Sequence, residues 1–245
     1  MIRGVTVDCW DTVLIQGDQS ISEKRRKLVF QFFVHRGFSE EQTAQAIEEE
    51  REQFRRGFLE ERRTPGLEER LERLVHMLYG QTMPEIANRL AGEIVGLIRE
   101  YPPVLVPGVP ETLDVLASRY RLGLVSNISI TPGHLLKQWL RDHNVLHFFH
   151  TLTFSNDHVV AKPHPSIFRA TLERMGMDSS EAVHVGNDEE LDVHGPHAAG
   201  MKAILFTGVI PAPPRSEADV QLNDFRMIPE AIRTLDRVRP APIAS

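Results

Sequence analysis

The sequence predicts an α/β protein, a doubly wound and mostly parallel sheet with an α-helical insertion after the first strand. Three observations carry this expectation. Short apolar runs of strand length recur in the second half of the chain, and helical stretches alternate with them. Several runs end abruptly in polar residues: Val5-Thr6-Val7 in Asp8, Leu122-Gly123-Leu124-Val125 in Ser126-Asn127, and Ala182-Val183-His184-Val185 in Gly186-Asn187-Asp188. From about Ser20 to Tyr101 strand signals vanish and charge-rich helical periodicity replaces them.

Taken in order, the first strand ends near Asp8. In the insertion, Ser39-Glu40-Glu41-Gln42 reads as a capping box. Thr82-Met83-Pro84-Glu85 reads as a second one, with Pro84 tolerated in the first turn. Leu67, Leu71, Leu74, Val75 and Leu78 recur at three- and four-residue steps and mark one apolar helix face. About four helices are expected here, and the charged stretch from Glu48 to Arg63 reads as a solvated face. Tyr101-Pro102-Pro103 and Pro107-Gly108 mark the return to the sheet.

Helix 110–119 then precedes strand 121–126, helix 133–143 a short strand near 151–154, helix 165–175 strand 182–185, and helix 191–199 strand 202–206. Asp219 to Leu222 can form a last strand, followed by a helix from Ile228. The tail Arg239-Pro240-Ala241-Pro242 is expected to fray. The expected division is a core of 1–17 and 103–245 with a helical cap of 18–102.

At 245 residues the chain can bury a full core, and 41% hydrophobic with 25% charged residues is ordinary for a soluble globular protein. A net charge of -6 and a pI near 6.0 argue against nucleic-acid and membrane-surface partners, which want a basic face. The lone Cys9 excludes an internal disulfide and fits a reducing cytoplasm. It is expected to be apolar filler rather than a reactive thiol. No signal peptide or membrane-spanning run is visible.

Asp8 is the first chemical candidate, because a carboxylate can act as a covalent nucleophile. Alone it would read as a turn cap. Ser126 and Asn127 offer a hydroxyl and an amide to anionic oxygens, although alone they read as turn residues. In Ala161-Lys162-Pro163-His164-Pro165-Ser166-Ile167-Phe168 two prolines fix the backbone around a lysine just before a helix. An ammonium held there neutralises carboxylates and developing charge. Gly186-Asn187-Asp188-Glu189-Glu190-Leu191-Asp192 supplies a carboxylate cluster of the kind that suits Mg²⁺, or else an acidic helix start. Because these groups follow apolar strands, they should gather on one edge of one sheet.

Together these motifs resemble the haloacid dehalogenase-like (HAD) superfamily, and the insertion stands where members with a C1-type cap carry theirs. The resemblance covers nearly the whole chain, with motifs in 5–14 and 122–206. It implies Asp8 as nucleophile, Ser126 and Lys162 as holders of phosphate or carboxylate, and Thr12 and Asn127 as substrate contacts. It further implies a Mg²⁺ site drawn from Asp8, Trp10, Asn187, Asp188 and Asp192, and a small anionic substrate.

Three positions depart from the family pattern. Trp10 stands where a second aspartate is usual, and an indole cannot exchange a proton near neutral pH. Losing a positioned general acid costs about 10²–10⁴-fold, and least for acyl phosphates, aryl phosphates or halide. Asp11 can replace that acid, but strand alternation sets residues 8 and 11 on opposite sides and favours a turn-capping role. Asn187 replaces the first acid of the fourth motif, which leaves Asp188 or Asp192 as the acidic ligand. Val159 replaces a frequent glycine, with no function attached.

The leading expectation is Mg²⁺-dependent hydrolysis of a small phosphorylated metabolite. An aromatic residue at position 10 and Asn127 after Ser126 also suit a metal-free 2-haloacid dehalogenase. A catalytically weak binding or regulatory protein is the third reading. Arg55, Arg56, Arg62 and Arg63 are expected to be solvated, and His164, His184, His194 and His197 to be packing or loop residues.

Overall fold

Alternation of apolar runs with helices builds a six-stranded sheet in the computed structural model of the chain, which describes residues 1–158, 160–211 and 213–237. The strands are β1 (Gly4–Val7), β4 (Arg121–Ser126), β5 (Phe149–Phe154), β6 (Ala182–Gly186), β7 (Lys202–Phe206) and β8 (Val220–Leu222). They stand in the order β5-β4-β1-β6-β7-β8, with every neighbour parallel. Val5, Val7, Leu124, Val183 and Val185 are fully buried, as expected of strands covered on both faces. β1 lies between β4 and β6, where the order of connections reverses, so its carboxyl end opens at the switch point of the sheet.

Helices α5 (Val109–Ala117), α6 (Gly133–Asp142), α7 (Pro165–Met175), α8 (Gly195–Ala199) and α9 (Ile228–Arg237) belong to this sheet. The insertion consists of α1 (Ile21–Val34), α2 (Glu40–Glu61), α3 (Leu67–Tyr79) and α4 (Pro84–Glu100). Its entry and exit are stitched together by a short antiparallel pair, β2 (Leu14–Ile15) and β3 (Val104–Leu105). Two-residue strands leave no periodicity to read, so this pair is invisible in the sequence.

Ser39 and Gln42 form the expected capping box of α2. The second expected box does not form. Helix α4 begins at Pro84, its N-cap is Met83, and no side chain caps it. Pro84 is pre-set for the first helical position, which leaves Thr82 outside the turn. Leu67, Leu71, Leu74 and Val75 are buried along α3, while Leu78 is half-buried.

The expected helix 191–199 is α-helical only from Gly195; Glu189–His194 form a π-helical turn instead. Such turns cluster at functional sites, and this one brings Asp192 back under the end of β6. Strand β5 starts at Phe149, ahead of the expected 151. Val159 and the tail 239–242 lie outside the described residues. Among the described residues no helix is long and apolar enough to cross a membrane.

Candidate active site

Asp8 leaves β1 at the switch point, where its N–H donates to the Val185 carbonyl at 2.8 Å. The side chain is 6% exposed. Lys162, 1% exposed, donates from Nζ to Asp8 Oδ1 at 2.5 Å and to Asp192 Oδ1 at 2.7 Å. Lys162 and Asp192 are 30 residues apart in sequence, and Lys162 stands 154 residues from Asp8. Folding therefore assembles two buried carboxylates around one ammonium.

That imbalance sets the titration of the cluster. Burial lifts the Asp8 carboxyl, Lys162 opposes the lift, and the charge of Asp192 adds to it, leaving Asp8 raised to about 7. Burial acts against Asp192 as well, but Lys162 and His184 hold it below the ordinary carboxylate range. For Lys162 the burial penalty is outweighed by Asp192 and Asp8, which keep the ammonium above its usual value.

Asp192 has no free oxygen in this arrangement. Oδ1 accepts from Lys162 and from His184 Nε2 at 3.0 Å, and Oδ2 accepts the N–H groups of Asn187 and Asp188 at 3.1 Å each. The expectation that Asp192 ligates a metal is corrected on that geometry. Asp188 is exposed, and its Oδ1 caps Leu191 N–H at 2.8 Å, so it too is turned to structural use. Among the described residues no group of three or more His, Cys, Asp or Glu side chains is placed to hold a metal ion. Gly186 makes this packing possible, since a Cβ there would collide with the Asp192 carboxyl. Gly186→Ala should displace that carboxylate and lower kcat by roughly 10²-fold, the scale of a 1 Å misplacement. Steady-state kinetics on the folded variant checks this.

Sequence reasoning missed His184. Thr6 Oγ1 lies 2.8 Å from His184 Nδ1, so a chain of contacts runs Thr6–His184–Asp192–Lys162–Asp8. Burial keeps the imidazole pKa low, and a neutral ring with its proton on Nε2 can donate to Asp192 while accepting from Thr6. A signal was present. Thr6 and His184 are register partners and the polar residues of Val5-Thr6-Val7 and Val183-His184-Val185.

The second Asp8 oxygen is almost free. Among the described residues Oδ2 receives only a long 3.5 Å contact from Thr12 Oγ1, and the same hydroxyl lies 3.2 Å from Asn187 Oδ1. Ser126 ends β4 fully buried, and its Oγ has no hydrogen-bond partner among the described residues. Such a group is costly unless something else pairs with it. Asn127 follows Ser126 out of β4. Its Nδ2 donates to the Lys162 carbonyl at 3.0 Å and its Oδ1 accepts Lys162 N–H at 2.9 Å, so the amide clamps the lysine backbone.

Trp10 is half-buried and meets Trp139 edge-on, with ring centroids 6.3 Å apart. Asp11 takes a left-handed backbone at φ 56°. The turn closes through backbone bonds, Leu14 N–H to Cys9 O at 2.9 Å and Asp11 N–H to Leu14 O at 2.7 Å. The expected side-chain cap is absent: the Asp11 carboxyl makes no hydrogen bond among the described residues, and partial burial raises its pKa. Cys9 is fully buried, and burial with the neighbouring Asp8 charge pushes its thiol well up, as suits inert filler.

The linker between α2 and α3 is seated beside these groups. Thr64 Oγ1 donates to Ser155 Oγ, Ser129 Oγ donates to Pro65 O at 2.9 Å, and Ala161 N–H donates to Arg62 O at 2.5 Å. Ser155 Oγ also accepts Ile128 N–H at 2.9 Å. Arg55, Arg56 and Arg63 are exposed, and Arg55 and Arg63 pair with Glu52 and Glu69. His164 caps α7, accepting Ser166 N–H at 3.3 Å.

An open parallel sheet with a lysine-paired carboxylate at its switch point defines an α/β protein of the class that holds its ligands at the carboxyl ends of its strands. The family model of haloacid dehalogenase-like hydrolases matches residues 2–200, and the chain belongs to that family. It is 32% identical over 109 residues to the glyceraldehyde 3-phosphate phosphatase of Methanopyrus kandleri, a match covering 44% of this chain and 43% of that protein. The chain spans about half the length of the curated relatives it matches. Its fold is similar to that of 2-haloacid dehalogenase from Pseudomonas syringae pv. Tomato DC3000, with TM-score 0.72, 22% identity, and 96% of this chain and 100% of that one covered. It is also similar to the magnesium-bound HAD-hydrolase YfnB of Bacillus subtilis, with TM-score 0.62, 20% identity, and 94% and 97% covered. At those identities the two structures speak to the fold alone.

Proposed function

We propose that this chain is a phosphatase acting on a small phosphorylated metabolite, with Asp8 as its nucleophile. The observation that carries the reading is the split use of the Asp8 carboxylate: Lys162 holds Oδ1, while among the described residues Oδ2 takes only a long contact from Thr12, and the Ser126 hydroxyl at the end of the adjacent strand β4 has no partner. The phosphatase relative supports the choice of a phosphoryl group. Asp8 Oδ2 attacks phosphorus, the bond to the leaving oxygen breaks, and an aspartyl-phosphate forms. Water then attacks phosphorus, the Asp8 oxygen leaves with its electron pair, and inorganic phosphate is released. Ser126 and Lys162 hold the phosphoryl oxygens, and Thr12 orients the carboxylate. Asn127 and Asp192 position Lys162. The insertion 18–102 serves as the cap, a role supported by the docking of 62–66 beside the site.

Mg²⁺ fits as a weakly held partner. Asp8 Oδ2 and Asn187 Oδ1 both approach the Thr12 hydroxyl, and hard oxygen donors of this kind suit an ion that keeps most of its waters. Trp10 can contribute only through its backbone carbonyl, since an indole offers no lone pair. When bound, the ion would offset negative charge on the phosphoryl group.

Asp11 takes the proton-transfer role that Trp10 cannot. Asp11→Asn should then lower turnover of an alkyl phosphate by about 10²-fold, and that of acetyl phosphate far less. Phosphate release from glycerol phosphate, para-nitrophenyl phosphate and acetyl phosphate, with Mg²⁺ or chelator, tests this. Equal loss on all three would remove Asp11 from proton transfer. No turnover of any, with chloride release from 2-chloropropionate, would replace the phosphatase reading by the dehalogenase one.

A further inference from the structure

The inside of the insertion holds a cavity of about 600 Å³ among α1, α2, α3 and α4. Asp8, Ser126 and Lys162 are not among its lining residues. Its walls include Val29, Ile47, Leu71, Leu74, Ile94 and, from the core side, Ile130. A volume of this size with apolar walls and a few polar groups is what small-molecule sites need.

The charges around it do not balance. Five arginines line the cavity with three glutamates, and each glutamate is already taken. Arg51 holds Glu48 at 2.8 Å and Arg55 holds Glu52 at 2.8 Å. Arg70 grips Glu50 through two bonds of 2.9 and 2.7 Å, and Arg73 adds a third at 3.3 Å. Arg25 and Arg26 are left over. Arg25 is half-buried and has no ion pair or hydrogen bond among the described residues. Burial and the charges of Arg70 and Arg26 all disfavour its ionised form. A guanidinium on the wall of this cavity, near Arg70 and Arg26 and with no carboxylate of its own among the described residues, is placed for a ligand carboxylate or phosphate, which it can meet bidentately.

We infer that the insertion carries a second binding site, in which Arg25 receives the anionic head of an organic acid and the apolar walls receive its body. The ligand class is an amphipathic monoanion, neither a free inorganic ion nor a neutral lipid. Arg70 ties this cavity to the loop after β4, since its Nη1 donates to Ser129 Oγ at 3.3 Å while its other nitrogens hold Glu50. Occupancy can therefore be felt three residues beyond Ser126. The inference does not depend on the chemistry of Asp8.

Titration calorimetry with octanoate tests it, using the full chain, Arg25→Gln, Arg25→Lys and Asp8→Asn. The expected result is saturable binding to the wild-type chain, weakened about ten-fold or more in Arg25→Gln, weakened less in Arg25→Lys, which keeps the charge but loses the bidentate fork, and unchanged in Asp8→Asn. Thermal melts confirm that the Arg25 variants are folded. Octan-1-ol and acetate should each bind far more weakly, because each lacks one half of the ligand. Absence of saturable octanoate binding, equal binding by Arg25→Gln, or equal binding of octan-1-ol would overturn the inference. Octanoate is expected to bind without competing with the phosphorylated substrate; purely competitive inhibition of phosphate release would overturn the inference, because it would make the cavity part of the substrate site. Because Asp8→Asn serves in the binding arm, failure of the phosphatase reading and failure of this site are distinguishable.

Discussion

Asp8→Asn is expected to lower turnover by about 10⁶-fold, the scale on which removal of a nucleophile acts in catalytic triads, and to leave the fold more stable near neutral pH. The second half of that result follows from the raised carboxyl. In the folded chain Asp8 titrates near 7, whereas an unfolded aspartate titrates near about 3.9. Between those values the folded state binds the extra proton, so the Asp8 contribution makes stability fall as pH rises through the window. The variant lacks that dependence. Melting temperatures measured in chelator should nearly coincide at about pH 4 and separate, with the variant higher, by about pH 7. The same titration predicts that kcat/KM of the wild-type chain in chelator rises with pH through about 7, as the nucleophile ionises. A variant less stable than wild type at neutral pH would show that Asp8 and Lys162 are coupled more favourably than burial and Asp192 allow.

Lys162→Met carries the other large effect, and its sign is opposite. Lys162 is the cation shared by two buried carboxylates, and its removal leaves both without a counter-charge. Breaking a buried pair in this way costs about 3–5 kcal/mol. The loss should be largest at neutral pH and should shrink in acid, where the stranded carboxylates take up protons. Urea unfolding at neutral and mildly acidic pH measures it. Turnover should be lost too, since Lys162 both orients Asp8 and meets the phosphoryl oxygens. A variant as stable as wild type at both pH values would mean that Asp8 and Asp192 do not depend on the lysine. The stability gained by Asp8→Asn and lost by Lys162→Met would together describe a site that trades stability for a poised nucleophile.

Much of this site is legible in the sequence because each piece stands at the end of an apolar run. Asp8 after β1, Ser126 at the end of β4 and Asn187 after β6 need only the rule that strand ends of a parallel sheet share one edge. What pairs with what is less legible. Asp188 and Asp192 look equivalent as acids near a helix start, and only the π-helical turn decides that Asp192 faces inward while Asp188 faces solvent. Asn127 reads as a substrate contact because the sequence does not show that the Lys162 backbone, 35 residues away, claims both ends of its amide. His184 was readable as the register partner of Thr6, but only once β1 and β6 are known to be neighbours. In Lys24-Arg25-Arg26-Lys27 no local pattern separates Arg25 from its solvated neighbours; the packing of four helices does.

The central claim is that Asp8 becomes covalently phosphorylated. The direct measurement is acid-quenched turnover of para-nitrophenyl phosphate in ¹⁸O-labelled water, followed by peptide mass mapping. The predicted result is a phosphoryl group on the peptide that contains Asp8, with the heavy oxygen appearing in released phosphate and not in the Asp8 carboxyl. Turnover that leaves this peptide unmodified, or that places the heavy oxygen in Asp8, would contradict it.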